Sequence, residues 1–169
     1  MKAAMMIAFL GSLALTSGAI AAPARELQAT TLAGKIPAAK PNPNDGRGEA
    51  LCEGEGRTAD SAEDKAVVAV GWIPFFSTQQ MGATRVLTAA ASLDGQCRPL
   101  DLAVFVFRSG KAVGMVTARD PSAAPVVRLN DADTLVVDVD YLKEDDAHCC
   151  PTGKASVVVA IGEQGIGER

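Results

Sequence analysis

This chain has few of the residues on which most catalytic and metal sites are built. It contains one histidine, His148, so any imidazole-based triad or metal cage has to use it. No Gly-x-Ser-x-Gly elbow is present, which removes the usual hydrolase route to a reactive serine. No Cys-x-x-Cys occurs, so the familiar dithiol redox pair is missing too. Positive charge is in deficit: 16 Lys and Arg face 20 Asp and Glu, a formal net charge of −4. Nucleic acid and anionic lipid surfaces both select basic proteins, and neither is an expected partner. No apolar run reaches the roughly 20 residues that cross a bilayer. No sequence repeat is visible.

What is present begins with an export pattern. Lys2 precedes a compact apolar segment from Met5 to Leu15, and Ala19 and Ala21 offer small side chains to a signal peptidase. Residues 1–21 read as a signal peptide cut after Ala21, which places the mature protein in the periplasm or outside the cell. The first cysteine is Cys52, far from that cut, so a lipid anchor is not expected. Residues 22–48 carry Pro23, Pro37, Pro41 and Pro43 and few large apolar side chains; they read as a flexible Pro/Ala-rich leader. Hydrophobic residues make up 48% of the 169-residue chain, enough for a single globular domain over residues 49–169.

Within that domain one helix is expected at about 59–70. Asp60 stands as its cap, with Glu63 three residues on. Ala62, Ala66, Val67 and Val70 form its apolar side, and Gly71 and Pro74 end it. The pattern then changes to period two or to solid apolar runs, which predicts strands at 84–92, 100–107, 111–118, 125–129, 134–142 and 154–161. "RSGK" at 108–111 signals a hairpin turn. The strand at 100–107 is apolar on both faces and belongs in the middle of its sheet. In the strand at 134–142, Leu135, Val137, Val139 and Tyr141 point inward while Asp138 and Asp140 face water. The expected fold class is α+β, a mainly antiparallel β-sheet with one packed N-terminal helix, stabilised by disulfides.

Export makes disulfides the default for Cys52, Cys97, Cys149 and Cys150. Neighbouring Cα atoms lie about 3.8 Å apart, whereas a relaxed disulfide spans roughly 4.4–6.8 Å. Pro151 extends the chain at Cys150, so the two neighbouring side chains should diverge. Geometry therefore disfavours the pairing of 149 with 150 and of 52 with 97. It leaves Cys149 and Cys150 shared between Cys52 and Cys97 in either order. The alternative for "HCC" is a zinc or copper module built on His148, Cys149 and Cys150, helped by Asp145 or Asp146. Contiguous ligands converge poorly on a tetrahedral centre, which weighs against it.

Other candidates are weaker. "GEGRTA" at 54–59 fits a loose dinucleotide pattern and precedes the helix, but no apolar strand leads into it. "NDAD" at 130–133 and "KEDDAH" at 143–148 lack the alternating acids of a calcium loop and read as solvated turns. "WIPFF", with Trp72, Ile73, Phe75 and Phe76, is either core or a partner-binding patch. An enzyme would need His148 beside a nucleophile such as Ser109 or Ser156.

"VFVFRSGKAVGMVT" at 104–117, followed by "DTLVVDVDYL" at 133–142 and "DDAHCCPTG" at 145–153, resembles the LppP/LprE-type lipoproteins over about residues 94–160. The Cys-Cys-Pro element after a Val/Tyr-rich strand is the most specific part of the likeness. The resemblance implies an extracytoplasmic domain of undefined biochemical role, with no catalytic residues to transfer. The chain departs from it in lacking the lipid-bearing cysteine. Together these observations predict a small exported, non-catalytic protein without cofactor, which binds a protein or another envelope component.

Overall fold

The computed structural model describes residues 27–40, 52, 54–118, 124–147 and 150–169. Among them the apolar runs become strands. Five antiparallel strands form one sheet in the order β1 (Leu27–Thr31), β5 (Lys111–Ala118), β4 (Pro99–Arg108), β3 (Thr84–Leu93) and β2 (Ile73–Met81). Four more form a second antiparallel sheet: β6 (Val126–Asp131), β7 (Thr134–Tyr141), β8 (Gly153–Ile161) and β9 (Ile166–Glu168). The doubly apolar β4 lies in the middle of the larger sheet, as its composition requires.

Each face of that sheet has its own core. The inner face sends Val86, Val104, Val106, Val113 and Val116 against Leu135, Val137, Val139, Val157 and Val159 of the smaller sheet. β8 alternates along its length and β7 from Val137 onward, so burying one face leaves Asp138, Asp140 and Lys154 turned away from the core. On the outer face Leu87, Phe105 and Phe107 are covered by Val67 of the helix α1 (Ala62–Val68), by Trp72, and by a strap, residues 32–40. The Trp72 and Phe105 rings meet edge to face at 5.1 Å.

Side chains close both flanks of the sandwich. On one, the Gln79 amide donates to Val127 O and accepts from Leu129 N, so it occupies backbone groups on the open edge of β6. On the other, Thr31 Oγ1 donates to Ile166 O and accepts from Ile166 N. At the hairpin end Arg108 binds Thr84 Oγ1, Ala132 O, Asp133 and Glu163, and so ties the two sheets together. The turn at its foot has positive φ at both central residues, Ser109 (50°) and Gly110 (78°), which suits the twist of a tight hairpin.

Several expectations are corrected. The strands form two facing sheets rather than one. The helix is shorter than 59–70, and its cap is Ser61 with Asp64 as the reciprocal partner, one residue beyond Asp60 and Glu63. Part of the expected leader is folded: β1 pairs along β5, and the strap is fixed through Leu32 N to Val113 O and Gly34 N to Ala112 O. "WIPFF" divides, with Trp72 buried and Phe76 41% exposed on a bulge of β2. The expected signal peptide, 1–21, and residues 22–26 and 41–48 lie outside the described residues.

Candidate functional site

The cysteines do not make the site their spacing suggested. Cys52 is joined to Cys97, with Cα atoms 5.4 Å apart. This overturns the expectation that each would be tied to the Cys149–Cys150 end. The physical reason lies in the β3–β4 turn, where the Asp94 carboxylate accepts from Gln96 N and Arg98 N. That turn sets Cys97 against the segment that enters α1, so the two sulfurs are neighbours in the fold. Backbone donation from Arg98 is the main cause that holds the Asp94 carboxyl below its ordinary range.

Cys150 is also disulfide-bonded, and its partner is neither Cys52 nor Cys97. His148 and Cys149 lie outside the described residues. A disulfide sulfur is no thiolate ligand, so the His148, Cys149, Cys150 metal alternative loses a member. Asp146, its possible helper, is occupied in its own loop, accepting from Lys143 N, Thr152 N and Thr152 Oγ1. Among the described residues no three His, Cys, Asp or Glu side chains gather as a metal site would require. Ser109 sits in the hairpin turn at the end of the sandwich opposite the β7–β8 loop, and Ser156 lies exposed beside Asp138. Gly56 of "GEGRTA" makes room for packing, since a Cβ there would lie 2.7 Å from Ile73 Cγ2.

What the fold does build is a cleft on the outer face of the larger sheet, at the end opposite the hairpins. Its volume is about 430 Å³. Ala91 of β3 and Met115 and Thr117 of β5 form the floor, with the β4 chain at Asp101 and Leu102 between them; Trp72 and the strap residues Pro37 and Ala38 form the wall. The cleft exists because this face carries large side chains at one end, Phe105 and Phe107, and small ones, Ala89, Ala91 and Ala103, at the other. The strap cannot slide over it. Trp72 Nε1 donates to Pro37 O at 2.8 Å, and Ala39 N donates to Val70 O at 2.9 Å. Lys40 and Asp101 stand exposed at the rim. Asp101 takes positive φ, 51°, a conformation uncommon for a non-glycine residue, and this sets the chain's path along the floor.

Behind the wall, α1 is anchored by charge. Asp64 is fully buried, paired with Arg57, and accepts from Ser61 N and Ser61 Oγ. Arg57 also donates from its backbone N to Pro74 O and from Nε to Phe76 O, covering the outer edge of β2. The hydrogen bond from Arg57 is the chief reason that the Asp64 carboxyl is held far below its ordinary range, against the opposing effect of burial. This cluster is fully occupied and serves as framework.

Sequence reasoning missed the cleft residues, apart from noticing Trp72. Pro37, Ala38 and Lys40 belong to a segment without apolar periodicity, and the alanines of the floor carry no pattern of their own. The one available signal was the single tryptophan, a large residue of limited supply placed next to a turn.

The family model described as LppP/LprE lipoprotein matches residues 79–164, more than half of the chain. That span runs from the end of β2 through β8 and holds the greater part of both sheets. No curated protein and no solved structure matches the chain.

Proposed function

Since this chain belongs to the LppP/LprE lipoprotein family, an envelope-associated group, we propose that it is an exported, non-catalytic binding domain whose site is the cleft beside the strap. It acts after removal of residues 1–21, in the periplasm or outside the cell, and its partner is an envelope component. One observation carries the reading: a strap pinned at Trp72 and Val70 holds open a cavity of about 430 Å³ with a mostly apolar lining. Ligand sites are typically concave, preformed and apolar with a few polar groups, at 300–1,000 Å³. Leaving such a surface uncovered is a cost that a purely structural domain would remove by larger side chains.

The chain's single tryptophan lies in the cleft wall, so its emission reports occupancy. Titration of the purified protein with a detergent-free extract of the cell envelope is expected to change Trp72 emission in a saturable way. Two variants that fill the cleft should abolish the change: Ala38→Leu from the exposed strap at unaltered thermal midpoint, and Ala91→Leu from the buried floor at a cost of about 1–3 kcal/mol in stability. A wild-type response retained in both variants refutes the cleft as the site. N-terminal sequencing of exported protein checks the localisation, with Ala22 expected as the first residue.

A further inference from the structure

We infer that the cleft takes the aliphatic chain of a free single-chain amphiphile with an anionic head, the tail lying along Trp72, Ala91 and Met115 and the head meeting Lys40. The inference rests on the cleft being the binding site and adds the class of ligand. Apart from Trp72, the apolar lining consists of aliphatic or thioether residues, with Pro37, Ala38, Ala91 and Met115 among them. Such a surface matches a flexible chain better than a flat ring system, and Met115 can readjust to chains of different shape. A volume of about 430 Å³ corresponds to about fourteen units of ~30 Å³, the share of one water in the liquid. That suits a single chain and is small for a two-chain lipid.

The polar lining residues are Lys40, Asp101 and Thr117. Lys40 and Asp101 are exposed, so one end of the cleft is wet. Asp101 is already engaged in a contact of its own. Lys40 has no hydrogen-bond or ion-pair partner among the described residues and is the one cation in the lining. An anionic head therefore has a complement there. The whole molecule carries a formal net charge of −4, which opposes adsorption to an anionic membrane surface and favours capture of one free molecule.

The test is a titration of the full mature protein with octanoate, decanoate, dodecanoate and tetradecanoate below their micelle concentrations, read by Trp72 emission. The matching methyl esters and anionic phospholipid vesicles are run in parallel. Affinity should tighten by about three- to fourfold per added methylene until the cleft is full. Lys40→Ala should weaken the acids several-fold and leave the esters unchanged. Ala91→Leu and Ala38→Leu should abolish both. Absence of a chain-length trend overturns the inference, as does an acid affinity indifferent to Lys40→Ala, or a response confined to vesicles. If the acids fail while the two filling variants still abolish the response to envelope extract, the ligand class falls and the binding site stands. If the filling variants alter neither response, both fall.

Discussion

Asp64 has no exposed side-chain surface, yet it is charged, because Arg57 and Ser61 supply the hydrogen bonds that water would otherwise give. Its carboxyl is held well below the ordinary value near 4, so its contribution is complete above that value and is lost as pH falls toward the folded-state pKa. Asp64→Ala leaves Arg57 without its partner and removes the reciprocal half of the α1 capping box, the bond from Ser61 N. We expect a loss of about 3 kcal/mol at pH 7, measured by urea denaturation. The difference between wild type and variant should shrink between pH 4 and pH 2, and a constant difference over that range would contradict the assignment. Ser92 presents the opposite case: its hydroxyl is buried without a hydrogen-bond partner among the described residues. Ser92→Ala should therefore be neutral or stabilise by about 1 kcal/mol, and a loss above that size would reveal a partner. The sequence made the cap of α1 legible only to within one residue. "DSAED" offers Asp60 with Glu63 and Ser61 with Asp64 as equivalent boxes, and only the placement of Arg57 chooses the second.

Strands announced themselves where they bury a continuous or alternating face. The runs beginning at Thr84, Leu100, Lys111 and Thr134 emerge as β3, β4, β5 and β7 with nearly their expected bounds. Three strands were not legible, each for a physical reason. β2 is an edge strand with the polar run "STQQ" and a bulge, β1 reads "LQATT" inside a proline-rich stretch, and β9 has only three residues. The division into two sheets is equally silent in sequence, since a strand's inner face looks the same whether a helix or another sheet covers it. It depends on close approaches such as that of β9 to the larger sheet at Gly114. A Cβ on Gly114 would lie 2.3 Å from Ile166 Cγ1. Gly114→Ala should cost about 1–3 kcal/mol by overpacking, and adding Ile166→Ala should recover part of that loss. Additive losses in the double-mutant cycle would show that the two elements do not meet there. Gln79→Ala, which exposes two backbone groups on β6, should cost about 1–2 kcal/mol in the same assay.

At the scale of the whole molecule, the cysteine reasoning was right to expect disulfides and misleading about connectivity. It treated the distance between adjacent Cα atoms as decisive and had no access to the turn that carries Cys97. Sequence separation says nothing about which turns meet in a sandwich, and the cleft escaped notice for the same reason: its walls come from the strap, Trp72 and three strands that only the fold brings together. The two halves of the cross-link are 45 residues apart in sequence. They fasten the segment before α1 to the β3–β4 turn at the end of the sandwich where the cleft also opens. A closed loop of that size is worth about 4 kcal/mol in the chain-entropy treatment. Cys52→Ala with Cys97→Ala should lower unfolding stability by an amount of that order. It should also widen the cleft end, because Cys52 packs with Ala90, Leu93 and Leu102, and the chain at Leu102 lines the cleft. Tryptic digestion of the oxidised protein gives a direct check, since Arg98 precedes Pro99 and resists cleavage. Peptide 48–57 should be recovered joined to peptide 86–108. Recovery of peptide 48–57 joined instead to the peptide that holds Cys149 and Cys150 would restore the long-range tie and remove the support beneath Leu102. In that case the double variant should leave the Trp72 titration unchanged, whereas the Cys52–Cys97 link requires that ligand affinity fall together with stability.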